Sequence, residues 1–290
     1  TLRHCTVSAE WSLCGKGLLP RKTEPLPSPE GLPYSRIMAG LLLGTMAGLS
    51  ADVWEESVLM APLPPSKYFP PAEAADEHGL VAIGGRLDPD WLLDAYRHGI
   101  FPWPGGDDRW PIPWFSPDPR AVLELDRLHI SRSLRRTLRK KLFVVTCDRA
   151  FGAVIRGCAE APGRRGATWI TPSMIRAYTR LHQMGYAHSV EVWREQELVG
   201  GVYGVAIGGA FSAESMFHLV PDASKVALVY LVRHLQARGY QLLDVQELSP
   251  HLERMGAWGI ARREFLRRLA EALPLPVQFG PPGPLEFPWP

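Results

Sequence analysis

From residue 79 onwards, hydrophobic and polar positions follow first the period of a strand and then that of a helix. Leu80–Ile83 form a short apolar run that ends at two glycines, which predicts a strand. Asp88 followed by Pro89 is typical of a helix start, and apolar residues recur at helical spacing until Gly99. Residues 100–120 are rich in Pro, Trp and Phe, so we predict an aromatic-lined loop there.

Residues 129–143 predict a basic amphipathic helix. Leu134, Leu138 and Leu142 fall four residues apart on one face. The opposite face carries Arg132, Arg135, Arg136, Arg139, Lys140 and Lys141. Such a face is either simply solvated or used to bind phosphates.

The rest of the chain alternates between strand and helix patterns. The predicted strands are 143–146, 188–193, 198–207, 210–216 and 240–245, and the predicted helices are 151–159, 172–184, 224–238 and 262–273. Asp222 is the predicted cap of the long helix, and Gly239 its end. Strands followed by a long helix and a further strand indicate an α+β sheet.

Composition divides the chain into four parts. We predict a poorly ordered extension over residues 1–60, a small N-terminal domain over 61–118, a catalytic domain over 119–273 and a proline-rich tail over 274–290. The net charge is only +2, so a nucleic-acid surface has to come from local clusters. No run reaches the ~18 apolar residues of a membrane span, and the scattered cysteines fit a reducing cytoplasm.

Three polar side chains stand out on the predicted strands. Glu214 lies in an apolar stretch, where a carboxylate is costly to bury without a partner. Asp244 and Gln246 are two residues apart, so they share one face of an otherwise apolar strand. A solvent-facing strand edge would explain the same pattern, and the residues alone leave both explanations open.

Two other features have both a functional and an ordinary explanation. Trp103, Trp110, Trp114 and Trp169 could stack against nucleobases or simply pack in the core. Asp222 and Lys225 open the long helix, where they could bind an anion or only cap the helix.

Taken together, these segments resemble the leucyl/phenylalanyl-tRNA–protein transferase family. The matching stretches run in order from about residue 69 to 270, and they include GLVAIGGRLDPDWLLDAYRHGIFPW, WFSPDPRAVL, TWITPSMIRAYTRLHQMGYAHSVEVW, ESMF, DASKVAL and LDVQ. The resemblance implies a small N-terminal domain followed by a GNAT-like acyltransferase domain. It implies transfer of Leu or Phe, less often Met, from tRNA to proteins with N-terminal Arg or Lys, which marks them for degradation. It also implies that no metal or cofactor takes part, and we expect a monomer.

The resemblance assigns roles residue by residue. Glu214 matches the Glu of the family's GESMF motif, and Asp244 and Gln246 match its DCQ motif. Trp103 and Trp169 match aromatic residues that flank the terminal adenosine. The apolar amino-acid pocket corresponds to Val202, Met216, Leu228, Leu231, Leu235 and Leu243. Contacts with tRNA phosphates are expected from Arg132, Arg135, Arg136, Arg139 and Lys140.

The chain departs from the family pattern beside the site. Ala213 replaces a Gly, His218 replaces the usual Ser, and Val245 replaces a Cys. Two other functions stay open. An acetyl-CoA-dependent N-acetyltransferase would need a pyrophosphate-binding motif before the helix at 224, and none is found there. A non-catalytic RNA-binding adaptor would leave Glu214 and its two partners without a role.

Overall fold

A small antiparallel sheet opens the part of the chain that the computed structural model describes, residues 63–161 and 168–288. Its strands are β1 (Leu80–Ile83), β2 (Phe101–Pro102) and β3 (Pro113–Phe115), in the order β1-β3-β2, with α1 (Pro89–Arg97) between β1 and β2. The Asp88 carboxylate accepts a hydrogen bond from the Trp91 backbone N–H (3.2 Å), which confirms the predicted cap. The extension predicted over residues 1–60 lies outside the described residues.

The aromatic segment 100–120 is more regular than its prolines indicated. β2 and β3 pair through Phe101 with Phe115 and Pro102 with Trp114, so the prediction of a loop throughout is wrong. Trp114 is fully buried, and its indole Nε1–H donates to the Gly84 carbonyl (2.8 Å). Trp114 is therefore a core residue and cannot serve as a stacking platform.

The main sheet has eight strands. They are β4 (Arg120–Val122), β5 (Val144–Cys147), β6 (Ala187–Arg194), β7 (Glu197–Ile207), β8 (Ala210–His218), β9 (Leu242–Gln246), β10 (Trp258–Ile260) and β11 (Gly283–Pro284). Their order is β10-β4-β9-β8-β7-β6-β5-β11, and among these described strands the β8–β9 pair alone is parallel. Glu195 and Gln196 have φ of 51° and 70°, the left-handed turn expected between β6 and β7.

Helices cover both faces of this sheet. They are α2 (Arg132–Arg139), α3 (Phe151–Glu160), α4 (Pro172–Gln183), α5 (Ala223–Arg238), α6 (Pro250–Arg254) and α7 (Arg262–Ala272). One buried cluster contains residues of α1, α3, α4 and α7, and a second contains residues of α2 and α5. The predicted α+β fold is thus confirmed, whereas the domain boundaries at 118 and 273 stay predictions. Within the described residues, no helix has the length and apolar character needed to cross a membrane.

Two predictions about helix ends are wrong. The basic helix stops at Arg139, so Leu142 lies beyond it and is 55% exposed. Asp222 has a left-handed φ of 68° and makes no side-chain cap on α5. Its carboxylate instead accepts from Lys225 Nζ (2.9 Å) and from the Thr137 hydroxyl (3.0 Å).

The proline-rich C-terminal segment packs against the main sheet, so the prediction of a tail needs correction. Phe279 is almost fully buried, and its carbonyl lies 2.7 Å from His234 Nε2. The Leu285 N–H donates to the Val145 carbonyl (2.9 Å), which adds an edge strand beside β5. Prolines exclude a helix here, but they tolerate an extended edge.

Candidate active site

The candidate site lies where the two parallel strands separate. β8 and β9 pair from Ala210 with Leu242 to Ser212 with Asp244, and the pairing ends there. Beyond that point β9 remains paired with β4, where Ala121 faces Gln246, while β8 continues beside β7. The opening is therefore at the carboxyl ends of two parallel strands, a common place for a ligand site.

Glu214 occupies a β-bulge at this opening. On β7, Tyr203 faces Ser215 and Gly204 faces Ala213, so Glu214 is the extra residue of β8. The bulge reverses the alternation of side chains along the strand. As a result Glu214 reaches the face covered by α4, whereas Met216 packs against the cluster on the α5 face.

Asp244 is held by a complete set of donors. Arg120 Nε donates to Asp244 Oδ1 (2.8 Å) and Arg120 Nη2 to Oδ2 (2.7 Å), with both side chains almost fully buried. The Ser212 hydroxyl donates to Oδ2 (3.1 Å), and the Gln246 backbone N–H donates to Oδ1 (3.0 Å). Bidentate pairing with a guanidinium fixes this carboxylate in position.

Sequence reasoning missed Arg120, although its place at the start of an apolar run was a signal that it is buried. Its guanidinium lies 4.8 Å from the Phe101 ring centroid and 4.4 Å from that of Phe265, and Nη1 donates to the Gly99 carbonyl (3.1 Å). A buried Asp244 requires a cationic partner. Arg120 begins an apolar run in one of the matching stretches, which sets it apart from the exposed arginines of α2.

Glu214 is held by neutral donors. Gln246 Nε2 donates to Glu214 Oε1 (3.1 Å), and the Tyr178 hydroxyl donates to Oε2 (3.1 Å). The Tyr96 hydroxyl hydrogen-bonds to that of Tyr178. Burial raises the pKa of Glu214 to about 7, against the lowering effect of hydrogen bonds from Tyr96 and Tyr178. The pKa values of both tyrosines are raised well above their usual range, chiefly by burial.

Gln246 joins the two carboxylates through a strained turn. Its φ is 57°, a left-handed conformation that is uncommon outside glycine, and the Glu247 N–H donates to the Val245 carbonyl (2.7 Å). Its backbone N–H contacts Asp244, and its side-chain amide contacts Glu214. Such strain persists where surrounding contacts enforce it, and it is frequent at functional sites.

The six residues expected to form an apolar pocket lie together. Val202, Leu228, Leu231, Leu235 and Leu243 are at most 1% exposed and belong to the cluster beneath α5. Met216 is only partly buried and packs against that cluster from the strand that carries Glu214. The other five residues are buried and closely packed, and Met216 is the member of the set most exposed to solvent.

The two tryptophans expected at the adenosine lie on segments that touch each other. Trp103 is 37% exposed at the base of the β2–β3 loop, and Trp169 is half-buried just before α4. A Cβ on Gly106 would lie 2.7 Å from the Thr168 carbonyl oxygen, so the loop tip touches the chain beside Trp169.

The basic residues expected to bind tRNA form a continuous surface. Arg132, Arg135, Arg136 and Arg139 line a groove of about 650 Å³ with His129, Ile130 and Ser131, and Lys140 follows as the C-cap of α2. In the part of the chain that the structure describes, no three His, Cys, Asp or Glu side chains converge as a metal site would require.

The fold and the site together define an enzyme. Inside the split sheet, a strained turn joins a carboxylate held by a guanidinium to Glu214, whose pKa is raised to about 7. A buried carboxylate with a shifted pKa is typical of active sites.

Comparison with known proteins identifies the family. Residues 122–270 match the model of the leucyl/phenylalanyl-tRNA protein transferase, and residues 85–118 match the model of its N-terminal domain. The leucyl/phenylalanyl-tRNA–protein transferase of Syntrophotalea carbinolica is 53% identical over 216 residues, which are 74% of this chain and 93% of that protein. The transferase of Syntrophobacter fumaroxidans is 57% identical over 207 residues, 71% of this chain and 88% of that protein. The chain therefore belongs to the leucyl/phenylalanyl-tRNA–protein transferase family.

Solved structures give only distant likenesses. A GCN5-related N-acetyltransferase from Kribbella flavida has a TM-score of 0.33 and 12% identity, covering 60% of this chain and 61% of that one. L-PGS from Bacillus licheniformis has a TM-score of 0.32 and 12% identity, covering 55% of this chain and 50% of that one.

Proposed function

We propose that this protein transfers the aminoacyl group of an aminoacyl-tRNA to the N-terminal amine of an acceptor protein. The observation that carries the proposal is the hydrogen-bonded chain Asp244–Gln246–Glu214 at the split between β8 and β9. The donor is already an activated ester, so no ATP is required. The neutral amine nitrogen attacks the ester carbonyl carbon and the bond to the ribose oxygen breaks. A proton from the attacking nitrogen passes to that oxygen, which leaves as a hydroxyl; the earlier proton of the ammonium form is a separate one.

In this proposal Gln246 holds the attacking amine. Its amide nitrogen donates to Glu214, so its amide oxygen is the acceptor for an amine N–H. Asp244 positions Gln246 through the backbone N–H, and its own carboxylate is occupied by the guanidinium of Arg120. Correct placement of the amine against the carbonyl supplies several kcal/mol of the barrier reduction.

Glu214 is the proposed proton acceptor. An incoming ammonium group has to lose a proton before it can attack, and a base whose pKa is near the working pH does this best. The pKa of about 7 at Glu214 meets that requirement. Its charge would also favour an acceptor with N-terminal Arg or Lys.

The donor is bound by three surfaces in this proposal. Met216 and the buried residues behind it take the Leu, Phe or Met side chain, and a pocket of this kind discriminates by only ~1–3 kcal/mol per methylene. Trp103 and Trp169 flank the terminal adenosine, and the arginines of α2 contact phosphates without reading sequence. The reaction needs no metal or cofactor, and it takes place on a monomer in the cytoplasm, where aminoacyl-tRNA is found.

The product carries a new N-terminal Leu or Phe, which we propose marks it for degradation by the N-degron pathway. The test is a transfer assay with radiolabelled Leu-tRNA or Phe-tRNA and peptides that begin with Arg, Lys, Asp or Ala. Label is expected on the Arg and Lys peptides alone. Label on the Asp peptide would overturn the acceptor assignment, and tRNA binding without transfer to any peptide would contradict the proposed reaction.

A further inference from the structure

Trp110 is the most exposed tryptophan in the described part of the chain. Its side chain is 56% exposed, although burying a tryptophan is strongly favourable. It lies on the return arm of the loop between β2 and β3, and Trp103 lies at the base of the same loop. Nothing in the proposed reaction uses it.

The loop that carries Trp110 is anchored at several points. The Asp108 carboxylate accepts hydrogen bonds from the Ser173 backbone N–H (3.0 Å) and hydroxyl (2.8 Å) at the start of α4. The Asp107 carboxylate accepts from Arg109 Nε (2.9 Å) and Nη2 (2.6 Å), and the Trp110 N–H donates to the Asp107 carbonyl (3.3 Å). The indole is therefore presented to solvent from a fixed backbone.

The position of the loop relates Trp110 to the donor's RNA end. Trp103 lies at the base of this loop, and the loop tip touches Thr168 beside Trp169. Trp103 and Trp110 are therefore on the loop, and Trp169 follows a residue that the loop touches. If Trp103 and Trp169 flank the terminal adenosine, as proposed above, the adjacent nucleotide lies within a few ångströms of this loop, and Trp110 is the most exposed ring on it. A base stacked on an aromatic ring gains ~1–3 kcal/mol whatever its identity.

The local charges favour stacking over phosphate contact. The exposed guanidinium of Arg109 is paired with Asp107, and Arg176 Nη2 lies 3.9 Å from Asp108 Oδ2. Among the described residues around this loop, both guanidiniums are thus paired with carboxylates, which weakens their attraction for phosphates. The exposed indole ring is therefore the group on the loop best suited to contact an RNA strand.

We infer that Trp110 is a stacking platform for the nucleotide that precedes the terminal adenosine of the donor tRNA. The inference rests on the proposed function and extends the donor site by one nucleotide. A contact with the acceptor protein is the competing use of the same indole, and the donor series below separates the two.

The test compares donors of increasing length with wild-type protein, Trp110→Ala and Trp110→Phe. The donors are aminoacyl-adenosine, the aminoacylated dinucleotide cytidylyl-adenosine, and full aminoacyl-tRNA. Trp110→Ala should lower kcat/KM about tenfold for the dinucleotide and the tRNA and leave aminoacyl-adenosine unchanged. Trp110→Phe should recover most of the loss, and the loss should vary little with salt. Trp258→Ala, at a 43% exposed tryptophan of the edge strand β10, is the matched control.

Other outcomes overturn the inference. An equal loss with all three donors would place Trp110 against the acceptor, and no loss with any donor would leave it without a substrate role. Equilibrium binding of unacylated cytidylyl-adenosine to wild type and Trp110→Ala gives an answer that does not depend on transfer. If wild type transfers from no donor, the proposed reaction fails. Weaker dinucleotide binding by the variant would still support the stacking site, and equal binding would reject it.

Discussion

The surroundings of Asp244 and Glu214 differ sharply, although both carboxylates contact Gln246. Asp244 accepts two hydrogen bonds from a guanidinium, one from a hydroxyl and one from a backbone N–H. Glu214 accepts hydrogen bonds from neutral groups, the Gln246 amide and tyrosine hydroxyls, and burial raises its pKa to about 7. Arg120 compensates the charge of Asp244, whereas the neutral donors around Glu214 leave burial as the dominant effect on its pKa. In our proposal this difference gives Asp244 the positioning role and Glu214 the role in proton transfer.

The largest expected effect comes from removing the cation beside Asp244. Arg120→Met leaves a buried, uncompensated carboxylate, which should cost about 3–5 kcal/mol of unfolding free energy. Urea denaturation at pH 7 measures it. The control is Arg267→Met, which removes solvent-accessible ion pairs with Glu264 and Glu271 and should cost less than about 1 kcal/mol. Equal costs at both positions would remove the distinction between the two carboxylates.

Glu214→Gln should raise the free energy of unfolding relative to wild type, whereas Arg120→Met lowers it, and the gain should depend on pH. The unfolded chain releases this proton near the ordinary value of 4.5, and the folded protein releases it near 7, so the folded state holds the proton more tightly. Wild-type stability should therefore fall between pH 4.5 and 7 relative to the variant, by up to about 3 kcal/mol and less where solvent reaches the carboxyl. Parallel stability curves for the two proteins would show that Glu214 titrates normally. The variant should transfer poorly at every pH.

Tyr178→Phe should have a smaller effect on the same group. The Tyr178 hydroxyl stabilises the ionised form of Glu214, so its removal raises the pKa of Glu214 further. The acidic limb of the kcat profile should move to higher pH by about half a unit to one unit, the equivalent of one hydrogen bond. An unshifted limb with a uniformly lower rate would mean that Tyr178 only supports the fold.

Charge reversal on α2 should have the smallest effect, and it should leave both carboxylates untouched. Arg135→Glu combined with Arg136→Glu should raise the KM for aminoacyl-tRNA several-fold, because contacts with phosphates are lost. Such contacts are also the part of the affinity that falls with salt. Aminoacyl-adenosine should be used as before. Arg194→Glu, at an exposed position on β6, is the control. An unchanged KM at every salt concentration would exclude this groove from tRNA binding.

Local patterns predicted most of the elements correctly. The helix start at Asp88 is confirmed by its side-chain cap on the Trp91 backbone N–H, and the helix predicted from residue 172 begins at Pro172. These signals are readable because cap, periodicity and stop residues lie within one or two turns of each other. The motif resemblance likewise singled out Glu214 and its two partners before any contact was known.

The features that escaped prediction depend on distant parts of the chain. Arg120 and Asp244 are 124 residues apart, so only the sheet brings them together. The bulge at Glu214 places Met216 on the opposite face from Glu214, although a regular strand would put both on one face. Trp114 and Trp103 look alike in the sequence, yet tertiary packing buries one and exposes the other.

The most direct test of the proposed chemistry is the single-turnover rate of Gln246→Ala with saturating Leu-tRNA or Phe-tRNA and a peptide that begins with Arg. Gln246 is the residue that both carboxylates hold in place. If it positions the amine, the rate should fall by about 100-fold or more while the Kd for tRNA stays unchanged. A variant that transfers at the wild-type rate would contradict the account.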